Sequence, residues 1–185
     1  MVARHPRRLD PLPEQDWDDD ARESLASLLP PERRNPRDAG NVLATLVKHP
    51  ALTGAYLPFN AYLLSRSTLS PRTREVAVLR AVHRGDCEYL WSHHLGIAAR
   101  AGLSEDDIDG IRRGDLAAAA DRAVLRAVDD LAERTTVSTA VWTELGLYFT
   151  DQERMDLVFV VGGYYLLAMA VNSFGVEEEP LSGGA

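Results

Sequence analysis

The sequence predicts an all-α fold, a multi-helix bundle of about eight or nine helices. Three observations predict it. Apolar residues recur at helical spacing in one segment after another, and start and stop signals bracket those segments. No alternation of strand period survives along the chain. The run Val-Phe-Val-Val at 158–161 reads as strand in isolation, but its long apolar surroundings and upstream cap favour helix.

The elements follow in order. Pro11, Pro13 and the acidic run 18–20 mark an irregular start. A first helix is predicted over 17–29, with Ala21, Leu25, Leu28 and Leu29 inward, and Pro30-Pro31 stop it. Residues 31–41 read as a polar loop, and 42–48 as a short second helix. Pro50 opens the third, which carries Leu52, Tyr56, Phe59, Leu63 and Leu64. Ser70-Pro71 is an N-cap followed by proline at the first helical position, so the fourth helix runs from there to Arg84. Gly85-Asp86 separate it from a fifth over 87–101, which Gly102 closes. Ser104 with Asp107 forms a capping box for a short sixth helix. The alanine-rich run 116–134 is the seventh, with Val124, Val128 and Leu131 at helical spacing. Ser138 caps the eighth through Trp142 and Leu145, and Thr150 with Glu153 caps the ninth.

Residues 155–171 of that ninth helix are nearly all apolar. Asp156 within the run, its modest length and acidic residues at both ends favour a core helix buried on most sides over a membrane span. The acidic tail reads as disordered. The domain reading is an extension with one helix at 1–39, a helical domain at 40–176 and a flexible tail at 177–185.

A net charge of -8 argues against a duplex nucleic-acid binder, which needs a positive footprint; Arg4, Arg7 and Arg8 read as a solvated tail. The single cysteine, Cys87, cannot build an internal disulfide and fits a reducing compartment. The N-terminal stretch has no apolar signal core, so a soluble cytoplasmic protein is expected, with no membrane partner.

Chemistry concentrates in 75–102. Seven positions along a helix turn through about 700°, only about 20° short of two turns, so Cys87 and His94 share a face, with Leu90 and Trp91 between them. His93 is rotated away by about 100°. Cys87 falls in the first turn of its predicted helix, where unpaired amides stabilise a thiolate. Glu75 is read in the first turn of the fourth helix, with Arg72 and Arg74 as solvated partners. The short link between the two helices favours antiparallel packing, which brings Glu75 and His94 toward one groove. No spacing typical of helical metal ligands is present, and adjacent histidines face apart, so no metal is expected from His93, His94 and Glu75.

The stretch resembles the signature of the carboxymuconolactone decarboxylase / alkylhydroperoxidase D (AhpD-like) superfamily. Arg74-Glu75, then Cys87, Leu90 and His94, fall at the intervals of the peroxidase branch; Tyr89, Trp91, His94, Ala98 and Gly102-Leu103 match the decarboxylase-like branch. His49-Pro50, Leu69 with Pro71-Arg72, and the Val-Gly-Gly-Tyr of the ninth helix agree on the flanks. The resemblance implies an AhpD-like fold, catalytic roles for Glu75, Cys87 and His94, no cofactor, and assembly as a homotrimer or hexamer. Tyr89, Trp91, His93 and Tyr164 are the candidate substrate-binding residues, with Tyr165 a further aromatic wall. Leu90 replaces both the second cysteine of one branch and the glutamate of the other, which removes an internal resolving thiol and one carboxylate. Three functions follow: proton transfer by Glu75 and His94 on a small oxygenated acid or lactone, with decarboxylation as its form; a one-cysteine peroxidase that needs an external thiol; or a non-catalytic helical oligomer that binds a ligand.

Overall fold

The computed structural model describes residues 6–179, and among these every regular element is helical. Nine α-helices follow in order: α1 (Asp19–Glu23), α2 (Pro36–Leu46), α3 (Pro50–Ser65), α4 (Pro71–Arg84), α5 (Glu88–Arg100), α6 (Glu105–Arg113), α7 (Ala119–Arg134), α8 (Thr139–Leu145) and α9 (Asp151–Phe174). Two 3₁₀ turns, Glu14–Asp16 and Pro31–Arg33, lie in the first stretch.

The chain divides into two compact units, one of residues 1–66 and 170–185, the other of 67–169. This division groups 40–66 with the N-terminal segment. The cause is a shared core: Trp17, Ala21 and Leu25 are buried together with Ala44, Val47 and Leu57 of α2 and α3. The predicted helix over 17–29 is one regular turn, α1, followed by tight turns. Ser24 Oγ donates to the Ala21 carbonyl at 2.6 Å, and Leu25, Ala26 and Leu28 bond three residues back, in place of the α-helical ladder. The predicted loop 31–41 contains the start of α2, which Asn35 caps ahead of Pro36, with a kink at Gly40 (φ 69). The first residues of the tail are held: Glu179 accepts from the Asn41 backbone at 2.6 Å, Asn41 Nδ2 donates to the Glu177 carbonyl, and Arg7 pairs with Glu177. Residues 180–185 of the predicted flexible tail, and Arg4 of the predicted basic one, lie outside the described residues.

In the second unit α4 is the central element, packed against α5, α6 and α7. Its stretch from Glu75 to Val82 is buried without a break. Ser70 caps α4 by accepting from the Thr73 amide at 3.1 Å, as its sequence predicts. Ser104 and Asp107 close the predicted capping box of α6, and Thr150 and Glu153 that of α9. Ser138 caps nothing through its side chain; its backbone N–H donates to Asp130 Oδ2 at 2.8 Å.

Arg72, about a third exposed, is held by partners from other helices. It donates to both carboxylate oxygens of Asp107, to Asp121 Oδ2 and to the Gly102 carbonyl, tying α4 to α6 and α7. The Arg72 hydrogen bond, then the Ser104 amide, hold the Asp107 carboxyl down at about 2 from an ordinary 3.8. Protons therefore bind Asp107 more readily in the unfolded chain, so its contribution is full above about pH 4 and vanishes as pH falls through about 2. Asp107→Asn is expected to flatten the loss of stability between pH 4 and pH 2, read as urea midpoints across that range. An unchanged slope would show that this ion pair does not govern acid unfolding.

Candidate functional site

The site is built by α4 and α5, which run back from one another across a three-residue link, Gly85 to Cys87. The link is a complete Schellman closure: the Cys87 amide bonds to the Val82 carbonyl at 2.9 Å and the Asp86 amide to that of His83 at 3.2 Å. The left-handed residue is Asp86 (φ 47), while Gly85 keeps a negative φ. Aspartate is among the few residues that adopt this conformation at modest cost. The closure spends the Cys87 amide on α4 and leaves Cys87 as the N-cap of α5, one position before the first helical turn in which the sequence placed it.

Glu75 is the fifth residue of α4, in its second turn, because the helix begins at Pro71. The dipole at the helix start therefore does not explain a carboxylate there. Glu75 is 0% exposed and His94 6%. They meet: His94 Nδ1 lies 2.7 Å from Glu75 Oε2. The other oxygen, Oε1, accepts from Arg74 Nε at 3.3 Å, so Arg74 is also a partner of the buried carboxylate and not a solvated charge. Tyr164 of α9, itself buried, sets its ring edge-on to the imidazole, with centroids 5.0 Å apart and an interplanar angle of 84°. One carboxylate, one imidazole and one aromatic wall thus converge from three helices.

The other predicted residues lie as follows. Cys87 is 1% exposed and forms no disulfide; two helical turns, about 10 Å, separate its position from that of His94 along α5. Trp91 is buried with His83 tilted against it and the Arg112 guanidinium 4.0 Å over its ring. Burial, then the charges of Arg80 and Arg112, push the His83 imidazole below its ordinary value. His93 is exposed, stacked on Tyr89 at 4.1 Å with its Nδ1 against the Tyr89 carbonyl, on a different face from His94. Tyr165 turns toward Arg84 and Asp129, and burial raises its phenol above the usual value. Sequence reasoning missed Arg74 as the third member of the Glu75 group. The available signal was its placement next to a glutamate inside a helix whose next four residues, Val76 to Leu79, are all apolar.

Residues 50–133 match the sequence profile of the carboxymuconolactone decarboxylase family. The solved structures that share the fold include the following two. A peroxidase-related protein from Ralstonia eutropha JMP134, described as an alkylhydroperoxidase AhpD core, is 20% identical over 97% of this chain and 93% of its own, with a TM-score of 0.73. A protein of unknown function from Agrobacterium tumefaciens, associated by name with the antioxidant-defence protein AhpD, is 21% identical over 72% of this chain and 94% of its own, with a TM-score of 0.66. No curated protein matches the chain.

Proposed function

We propose that the chain, whose residues 50–133 match the carboxymuconolactone decarboxylase family, is a soluble, cytoplasmic enzyme that moves a proton between His94 and a small oxygenated acid or lactone. The observation that carries this reading is the 2.7 Å contact between two wholly or almost wholly buried groups, Glu75 and His94. A carboxylate at Oε2 holds the imidazole proton on Nδ1 and leaves Nε2 as the exchanging nitrogen. It also balances the charge when the ring takes a second proton. Arg74 and the edge of Tyr164 fix the two partners in place.

Decarboxylation is the reaction that uses this arrangement most directly. The bond between a carboxylate and the carbon next to a conjugated carbonyl breaks, and its electron pair enters that carbonyl to give an enolate and carbon dioxide. His94 Nε2–H then protonates the enolate carbon, and the imidazole regains its proton from water. Glu75 stabilises the imidazolium throughout. Burial of the pair favours loss of charge from the departing carboxylate.

A second reading rests on Cys87. It stands at the N-cap of α5, next to the amides of the first helical turn. In that reading the thiolate attacks the peroxide oxygen, the O–O bond breaks, an alcohol leaves, and the resulting sulfenic acid returns to thiol by two successive reactions with an external thiol. Leu90 stands where a resolving cysteine would have to be.

One experiment separates them. The chain is assayed for carbon dioxide release from a panel of β-keto and vinylogous acids, carboxymuconolactone included, and by intact mass after modest peroxide treatment. The proton-transfer reading expects release that survives Cys87→Ser within about ten-fold. Oxidation of Cys87 faster than that of free cysteine, with no release from any acid, would replace it by the peroxidase reading.

A further inference from the structure

Three arginines of α4 reach into the second unit, and the fold uses them differently. Arg72 is saturated by Asp107, Asp121 and the Gly102 carbonyl. Arg80 is saturated by Asp129 and two helix-end carbonyls. Arg74 makes a single bond, from Nε to Glu75 Oε1 at 3.3 Å, long for a charged donor and acceptor. Its terminal nitrogens, Nη1 and Nη2, have no hydrogen-bond partner among the described residues. The side chain is only 15% exposed. Yet the polar side-chain atoms that are both unpaired and sealed from solvent are Ser67 Oγ, Arg154 Nε and Tyr165 Oη, and neither Arg74 nitrogen is one of them. The fork of Arg74 is therefore almost buried, unpaired and still reachable.

Balancing the charge of Glu75 explains a guanidinium at this place, but not its geometry. A counter-ion placed for Glu75 alone pairs with both carboxylate oxygens at about 2.7–2.9 Å. Here Oε2 goes to His94 at 2.7 Å, and the Arg74 fork goes to neither oxygen. The charges point the same way. Arg74 and Glu75 cancel, and once His94 holds its second proton the three groups carry one positive charge. A buried charge needs a partner, and a ligand's anionic group supplies it. Tyr164 closes the imidazole on the α9 side. That helix is buried over only 39% of its apolar stretch, against the expectation of burial on most sides, and Tyr164 belongs to its buried part. Since one carboxylate bridges guanidinium and imidazole, a ligand of a few carbon atoms spans both.

We propose that the Nη1–Nη2 fork of Arg74 anchors a substrate carboxylate that survives the reaction. The inference rests on the proton-transfer reading of Glu75 and His94. A guanidinium on the departing carboxylate would stabilise the charge that has to leave it, favouring the ground state over the transition state. On a second carboxylate the same contact is equal in both states, so it sets affinity and orientation. The substrate class is then a small acid with two carboxylates. One stays on Arg74. The other, with no cation of its own, leaves as carbon dioxide. Its bonding pair enters the conjugated carbonyl, and the enolate carbon takes the proton of His94 Nε2–H.

The test separates binding from turnover. Malonate, succinate, glutarate and adipate, with their dimethyl esters, are titrated into the full chain by isothermal calorimetry. At least one diacid should bind saturably at millimolar concentration, and the esters should not. Arg74→Gln should weaken that binding about ten- to hundred-fold, the loss of one charge-assisted pair. Arg74→Lys keeps the charge beside Glu75 without the fork, and should also weaken it. Arg100→Gln, on the exposed end of α5, should change nothing. If Arg74→Gln loses helicity by circular dichroism, Arg74→Lys carries the test. With the acid that the unmodified chain decarboxylates, Arg74→Lys should raise KM by the factor seen for the diacid and hold kcat within about three-fold. No diacid binding, binding that ignores both Arg74 variants, or esters that bind as well as the acids would overturn the proposal. A fall in kcat at constant KM would also overturn it and leave Arg74 as a positioning residue for Glu75. Arg74-dependent binding with no carbon dioxide release from any acid would sink the proton-transfer reading and support the anchor by itself.

Discussion

His94→Gln is expected to lower turnover by about 10²- to 10⁴-fold while leaving the fold intact, the range that a positioned acid or base contributes. The choice of glutamine matters because Glu75 is 0% exposed. His94→Ala would strand that carboxylate with only the longer 3.3 Å bond from Arg74, and a buried acceptor that loses its partner costs about 1–3 kcal/mol. A fall in activity would then be confounded with unfolding. A glutamine amide keeps an N–H donor for Glu75 near the place of the ring, yet neither takes nor gives a proton near neutral pH. Glu75→Gln complements it. It keeps a polar neighbour for the ring but removes the charge that balances the imidazolium, so kcat should fall while KM for the acid stays close to its original value. Both are read as carbon dioxide release from the acid that the unmodified chain turns over, alongside urea midpoints. Full activity in His94→Gln would end the proton-transfer reading, because no other buried imidazole contacts Glu75 among the described residues.

Much of this site was legible before any coordinates, for identifiable reasons. Helix starts at Ser70-Pro71, Ser104 and Thr150 are local signals, readable from adjacent residues, and each formed as its chemistry predicts. The same reasoning applied to Asn35-Pro36 would have placed the start of α2, since asparagine caps as serine does and proline suits the first position. The face assigned to Cys87 and His94 was a reading from period, and Cys87 stands one position outside the regular helix as the N-cap of α5. Three features were not legible. The register of Glu75 depended on where α4 starts, and an offset of one turn separates a dipole-stabilised carboxylate from a core one. The roles of Arg72, Arg74 and Arg80 depend on which acids other helices bring to them: Asp107 lies 35 residues from Arg72 and Asp121 lies 49. No period encodes such a pairing. The exposed face of α9 was hidden because a helix apolar all round reads as buried, and only packing shows which stripe is left uncovered.

The largest expected effect on stability lies at Arg80, which sequence reasoning passed over as one more charge in α4. Its Nε and Nη2 donate to the two carboxylate oxygens of Asp129 at 2.8 and 2.9 Å, and its Nη1 donates to the carbonyls of Ile111 and Arg112 at 2.8 and 2.9 Å. One guanidinium thus closes the C-terminal end of α6 and joins α4 to α7, while 7% exposed. Arg80→Ala removes all four bonds, leaves two helix-end carbonyls without that donor, and leaves Asp129 facing only the Arg84 side chain at 3.5 Å. Breaking a buried pair from one side costs about 3–5 kcal/mol, a large share of the 5–15 kcal/mol that holds a typical domain. Arg84→Ala, at a third exposed, is the control and should cost no more than about 1 kcal/mol. Arg80→Lys should recover only part of the loss, because a point charge cannot serve a bidentate carboxylate and two carbonyls at once. Guanidinium midpoints on the four proteins decide the matter. If Arg80→Ala and Arg84→Ala unfold together, the Arg80 network adds nothing beyond surface charge. If Arg80→Ala alone falls steeply, the same helix that presents Glu75 to His94 is held in register by a second buried charge, nearly one and a half turns further along.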